Sequence, residues 1–296
     1  QVNDPSDQVV CNGGTTASVN FTTNNTGGTT TYSWTNDNTS IGLGASGDGD
    51  IAGFTAVNNG TSPEVATIIV TPSFSNGGED CSGATQTFTI TVNPSGQVND
   101  PSDQVVCNGS ATDTVKFVTN NTGGTTTYNW INDNTSVGLG ASGSGNIDAF
   151  IAVNNGTSPE VATISVTPTF SNGGESCSGE SQTFTITVNP TAQVNDPSDQ
   201  VVCNESATDA VNFTTNNTGG TTTYSWTNDN TSIGLGASGS GNIDSFTAIN
   251  TGTSPAVATI TVIPTFTNGS ESCSGPSQEF SITVNPTPNV IATPFS

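Results

Sequence analysis

Six cysteines are the residues of this chain whose type and spacing could do chemistry. They fall at 11 and 81, 107 and 177, 203 and 273, each pair 70 residues apart. Nucleophilic or redox use of a thiol needs a base or cation beside it. The chain has no His and a single Lys, Lys116, with no Arg. An even count at fixed spacing therefore reads as a disulfide framework formed in an oxidising, extracellular setting, with free buried thiols as the other reading. Six cysteines allow 15 connectivities. If each repeat folds independently, the expected pairs are Cys11–Cys81, Cys107–Cys177 and Cys203–Cys273, each closing a loop worth about 4 kcal/mol on the chain-entropy model.

Carboxylates are the second chemical resource. Twenty-four Asp and Glu against one cation give a formal charge of −23. Such a surface repels phosphate backbones and anionic lipid, so neither nucleic acid nor a membrane is an expected partner. The longest apolar runs, such as Val65 to Val70, are strand-sized and too short to span a bilayer as a helix. Asp4 with Asp7, Asp100 with Asp103 and Asp196 with Asp199 recur at the junctions and are the candidate Ca²⁺ ligands, because that ion takes six to eight oxygens. The expected reading is plainer: a solvated polar turn in which Asp caps its own backbone, with no cofactor bound. Asp48-Gly49-Asp50 looks like a calcium loop but becomes Ser144-Gly145-Asn146 and Ser240-Gly241-Asn242, which argues for a turn. A glycosidase needs two acids at a fixed separation in a cleft, and no pair stands out. Without imidazole bases or Schiff-base lysines, the expectation is a protein that is not an enzyme.

The elements that carry these residues follow from an internal repeat. Gln1 to Asn12 returns unchanged at Gln97 to Asn108 and at Gln193 to Asn204, a period of 96 residues. The expected domains are 1–96, 97–192 and 193–288, with 289–296 as the first strand of a truncated fourth repeat. Gln at position 1, with no leader before it, reads as a window on a longer chain. Within a repeat, Ala17 to Phe21 and Thr87 to Val92 alternate with period two, and Asn-Gly turns punctuate the chain at short intervals. That pattern predicts an all-β fold of three tandem immunoglobulin-like β-sandwiches. Ile69 becomes Ser165 and Thr261 while its neighbours stay aliphatic, so Ala66, Ile68 and Val70 point inward and Ile69 outward. The predicted core is Val10, Val19, Phe21, Tyr32, Trp34, Phe54, Ala66, Ile68, Val70, Phe74, Phe88, Ile90 and Val92.

The stretch Tyr32-Ser33-Trp34-Thr35-Asn36-Asp37-Asn38-Thr39-Ser40-Ile41-Gly42-Leu43, followed by Gly44-Ala45-Ser46-Gly47, resembles the PKD-like repeats found in tandem in very large secreted and surface proteins of the Bacteroidetes. Ala66 to Pro72 and Phe88 to Pro94 fit the same pattern, as does the tail Thr287 to Pro294. The resemblance implies an immunoglobulin-like sandwich, export by a gliding-associated (type IX) pathway and use as a stalk in adhesins or appendages. It brings no catalytic residues. Asp113-Thr114-Val115 matches that family's short O-glycosylation pattern, making Thr114 a candidate acceptor. Asn-x-Thr/Ser sequons such as Asn24, Asn38 and Asn134 arise readily in so Asn- and Thr-rich a chain.

The expected function is a non-catalytic spacer within an extracellular filament or adhesin, whose partners are the neighbouring repeats. Short Pro-bearing junctions, including Pro94 and Pro101, predict an extended array. One alternative is a module gripping glycans or a protein through loops such as Thr29 to Thr31 or Asn36 to Ser40. Another is a filament subunit that self-associates by adding Asn289 to Ser296 as a strand to the next molecule.

Overall fold

The computed structural model describes residues 1–288. The first repeat contributes β1 (Gln8–Cys11), β2 (Thr29–Asn36), β3 (Ser46–Asp48), β4 (Glu64–Asn76), β5 (Glu79–Ser82) and β6 (Gln86–Asn93). The second contributes β7 (Gln104–Cys107), β8 (Thr125–Asn132), β9 (Ser142–Ser144), β10 (Glu160–Asn172), β11 (Glu175–Ser178) and β12 (Gln182–Asn189). The third supplies β13 (Gln200–Cys203), β14 (Thr221–Asn228), β15 (Ser238–Ser240), β16 (Ala256–Asn268), β17 (Glu271–Ser274) and β18 (Gln278–Asn285). Each set forms its own sheet in the order β1-β6-β4-β2-β3, with β5 folded back on the far end of β4. Among the described residues every ladder is antiparallel except the pairing of first and last strands in each repeat, β1 on β6, β7 on β12 and β13 on β18, which runs parallel, with Gln8 opposite Ile90 and Cys11 opposite Asn93 in the first.

Alternation builds the buried face. Along β4, Ala66, Ile68 and Val70 are fully buried, while Ile69 between them is 41% exposed, so the period-two reading holds residue by residue. Phe88, Ile90 and Val92 of β6 and Trp34 of β2 complete that face.

The opposing layer is looser than a sheet. Ala17 to Phe21, which alternates like a strand, makes only an isolated bridge, Val19 to Ile51, and Thr15 pairs with Thr55 in the same way. Side chains replace the missing ladder: the Phe21 amide donates to the Asp50 carboxylate at 2.8 Å, and the Phe54 amide to the Thr16 hydroxyl at 3.1 Å. Asn146 and Asn242 accept the corresponding amides of Phe117 and Phe213. Position 50 therefore needs an acceptor and no charge, which explains how Asp there gives way to Asn.

Val2, Ile41, Leu43, Ile51 and Ala56 join the core although the alternation does not mark them. Ile41 comes from a 3-10 turn at Thr39–Ile41 that Asn38 caps, its side chain accepting from the Ser40 amide, and that closes on Gly42 at φ 96°, with Leu43 just after it. A left-handed residue at that position favours glycine. Three such units make three tandem immunoglobulin-like β-sandwiches, each with a core of its own.

Candidate functional site at the repeat junctions

Parallel pairing of β1 with β6 decides where the cysteines lie. Cys11 sits beside Asn93, at the end of the sheet where β4 begins at Glu64. Cys81 sits opposite Phe74, near the other end of β4. Ten residues of strand separate those ends, about 33 Å at 3.3 Å per residue, whereas a disulfide needs Cα atoms within about 7 Å. Cys11–Cys81 within one repeat is therefore impossible in this fold, and the same holds for Cys107–Cys177 and Cys203–Cys273.

The disulfides instead cross between repeats. Cys11 bonds Cys177 with Cα atoms 5.4 Å apart, and Cys107 bonds Cys273 at 5.5 Å, each spanning 166 residues of sequence. The first cysteine of one repeat is thus joined to the second cysteine of the next. Cys81 and Cys203, which have no such neighbour in this chain, are free and exposed.

Polar contacts register each staple. The Asn93 amide donates to the Asn172 carbonyl at 2.9 Å while the Asn172 amide donates to the Asn93 side-chain oxygen at 3.0 Å. Asn189 and Asn268 repeat the exchange at 3.1 and 2.9 Å. Both Asn93 and Asn189 are fully buried, and a buried amide with both functions satisfied fixes orientation as well as position. The linker lies against the same hairpin, the Gly96 amide donating to the Cys177 carbonyl at 3.1 Å. A Cβ on Gly179 would collide with the Gly96 carbonyl oxygen, and one on Gly275 with that of Ala192. On the opposite flank Thr122 donates through its amide to the Thr61 carbonyl at 2.8 Å, and the Gln97 amide to the Asn121 side chain at 2.7 Å. Thr218 with Thr157 and Gln193 with Asn217 reproduce that flank at the second junction.

The aspartates of the lead-in have a local task. The Thr89 amide donates to Asp7, the Thr185 amide to Asp103 and the Ser281 amide to Asp199, each at 2.6 Å. These bonds clamp the start of the first strand onto the last. The Ser281 contact holds the Asp199 carboxyl below its usual range. Asp4, Asp100 and Asp196 are exposed. Among the described residues no three of His, Cys, Asp or Glu converge to hold a metal ion.

Of the loops offered for ligand binding, Asn36 to Ser40 is occupied with its own fold. Asn36 is buried and donates to the Leu43 carbonyl at 3.0 Å, and the Asn38 amide donates to Glu64 at 3.0 Å and to the Val65 carbonyl at 3.1 Å. The same bonds engage Asn134 with Glu160 and Val161, so neither sequon asparagine has a free amide. Thr30 and Thr31 border a shallow groove of about 500 Å³ on the first repeat, with Asp48 and Ser82 on its rim. Thr114, beside Asp113, is exposed.

No family model and no curated protein matches the chain. Among solved structures, mouse cadherin-23 EC22-24 is similar at 15% identity over 96% of both chains, with a TM-score of 0.41. Mouse protocadherin-24 EC1-3 is similar at 14% identity over 97% of this chain and 98% of that one, with a TM-score of 0.39. The assignment of the fold rests on the strand pairing described above.

Proposed function

We propose that the chain is a non-catalytic, load-bearing spacer of an extracellular filament or surface adhesin, built from repeats 1–96, 97–192 and 193–288. The observation that carries this reading is the pair of cross-repeat disulfides. Between the two staples three stretches of backbone, 11–107, 107–177 and 177–273, connect the same two covalent nodes. Of these, 107–177 is the shortest and bears the tension once the domains unfold. A single peptide break anywhere from 12 to 272 leaves both halves joined through sulfur. Protection of that kind is of use to a structure that is pulled and exposed to proteases, and of little use to an enzyme.

Composition supports the same reading. One basic residue in 296 leaves trypsin-like proteases a single site, and −23 of charge discourages self-adhesion. Disulfides form and persist outside the cytosol. The motif resemblance to PKD-like repeats of Bacteroidetes surface proteins agrees, and Thr114 would carry the glycan if that resemblance extends to modification. The calcium reading of Asp4, Asp7, Asp100, Asp103, Asp196 and Asp199 has least support, because one of each pair is spent on a backbone amide. The fourth-repeat strand at 289–296 lies outside the described residues.

Single-molecule stretching tests the reading. Drawn from its ends after the domains unfold, the oxidised chain should extend to about 350 Å, since the shortest bridge between the staples sets the limit, and the reduced chain to about 1,000 Å, at ~3.4 Å per residue. Equal lengths in the two states would contradict it.

A further inference from the structure

Seven Asn-Gly bonds occur in the chain, at Asn12, Asn59, Asn76, Asn108, Asn155, Asn172 and Asn268. In such a bond the glycine nitrogen can attack the carbonyl carbon of the asparagine side chain. A new C–N bond closes a five-membered succinimide, the side-chain nitrogen leaves as ammonia with the glycine N–H proton, and water then opens the ring to aspartate or isoaspartate. Glycine hinders the attack least because it has no Cβ.

The fold treats these bonds unequally. The Gly13 and Gly109 amides donate to the Ala56 and Ala152 carbonyls, both at 2.8 Å, and the Gly60 and Gly156 amides to the Asn58 and Asn154 side chains at 2.9 and 2.8 Å. Among the described residues the amides of Gly77, Gly173 and Gly269, at the hairpin tips after β4, β10 and β16, donate to nothing. At the two junctions the hold is on the asparagine instead. Asn172 donates its side-chain amide to Asn93 of the preceding repeat at 3.0 Å, and Asn268 donates to Asn189 at 2.9 Å. Val9 and Val105 of those preceding repeats lie against Gly173 and Gly269. The attacking nitrogen is free, and the group it would attack is held across the junction.

We propose that Asn172 and Asn268 are deamidation sites shielded by the closed junction, and that the modification, once made, keeps the junction from closing again. Ring closure needs the side chain to leave its partner and the end of the strand to fray from its extended backbone, so it waits for the repeats to part. The product has lost the donor that faced the Asn93 or Asn189 oxygen and sets a carboxylate against it. That carboxylate also stands directly opposite Glu175 or Glu271, the cross-strand partners of Asn172 and Asn268, where like charges repel. Cys11–Cys177 and Cys107–Cys273 still join the repeats, so the array loosens at that junction without breaking. The inference rests on the docked junction and not on the spacer role, so the spacer reading can fail without touching it.

The full oxidised chain carrying Asn93→Ala loses the partner of Asn172 and keeps that of Asn268. Incubated at mildly alkaline pH and followed by peptide mapping, it should deamidate at Asn172 roughly tenfold faster than the wild type, the effect of about one lost hydrogen bond, with Asn268 unchanged. Asn189→Ala should reverse the pattern. An unchanged rate at Asn172 would overturn the shield. Faster loss at Asn12 and Asn59 as well would trace the effect to unfolding of the first repeat and overturn it equally. A second variant, Asn172→Asp, tests the consequence without any incubation. Hydrogen exchange at the Gly96 amide, which donates to the Cys177 carbonyl across the junction, should quicken roughly tenfold. The Val115 amide, bonded to Ile147 within the second repeat, should keep its rate. A Gly96 amide as protected as in the wild type would show that the junction accepts the carboxylate, and would overturn the claim that deamidation holds it open.

Discussion

Reducing the staples should lower the melting temperature of the chain by about 15 °C or more without abolishing the folded state. Each bond closes a loop of 166 residues, and a closure above about 100 residues is worth about 4–5 kcal/mol on the chain-entropy model. For a unit near 96 residues each kcal/mol corresponds to about 4–8 °C. The folded state survives because each repeat encloses its own core, with Ile68, Ile164 and Ile260 fully buried in three separate clusters. Scanning calorimetry with and without reductant measures the shift. The pair of substitutions Cys107→Ala and Cys273→Ala should reproduce part of it by releasing the third repeat while leaving the first two stapled. A shift of only a few degrees on full reduction would mean that the loops do not constrain the unfolded chain as their span requires.

Removing the Trp130 side chain should destabilise the second repeat by about 3–5 kcal/mol, the cost of a large aromatic cavity. Trp130 is 8% exposed and lies flat against Gly143 of β9, where any Cβ would collide with its ring. Its indole N–H has no hydrogen-bond partner, and the same is true of Trp34 and Trp226. The ring therefore acts through area and shape alone. Trp130→Phe leaves no acceptor unsatisfied and should cost about half as much as Trp130→Ala or less. Denaturant midpoints of the two variants check this, with Trp34 and Trp226 fluorescence reporting the unaltered repeats. Equal losses would show that the indole N–H contributes something the geometry does not.

The contrast between core and junction shows where the sequence is legible. Alternation along β4 and β6 is a local property, so Ile68, Val70, Phe88 and Ile90 could be assigned inward from spacing alone, and the exposed Ile69 was marked by its polar counterparts in the other repeats. Ile41 and Leu43 escape that reading because a 3-10 turn and the residue after its cap, not a strand, present them. The disulfide pairing escapes for a deeper reason. Equal spacing of cysteines is the same whether each bond closes within a repeat or reaches into the next, so a repeat cannot distinguish the two. What decides is that β1 lies parallel to β6, which carries Cys11 to the end of the sheet away from Cys81, and parallel pairing of first and last strands leaves no mark in local periodicity. Phe74 shows the same limit. Its alternation predicts a core residue, yet it is only partly buried and lies outside the first repeat's core, whereas Phe170 and Phe266, each with a preceding repeat beside it, are fully buried.

Acid cleavage under non-reducing conditions tests the cross-repeat connectivity most directly. Asp-Pro bonds hydrolyse in mild acid, because the aspartyl carboxyl attacks its own peptide carbonyl and the prolyl nitrogen is a good leaving group, and thiolate-driven disulfide exchange is suppressed at that pH. The chain has such bonds at Asp4-Pro5, Asp100-Pro101 and Asp196-Pro197, which divide it into pieces holding Cys11 with Cys81, Cys107 with Cys177 and Cys203 with Cys273. With Cys11–Cys177 and Cys107–Cys273 in place, all three pieces should remain one species near the 29.7 kDa of the whole chain and fall to about a third of that only on reduction. Release of three separate pieces without reductant would mean that each repeat closes on itself, and would contradict the account.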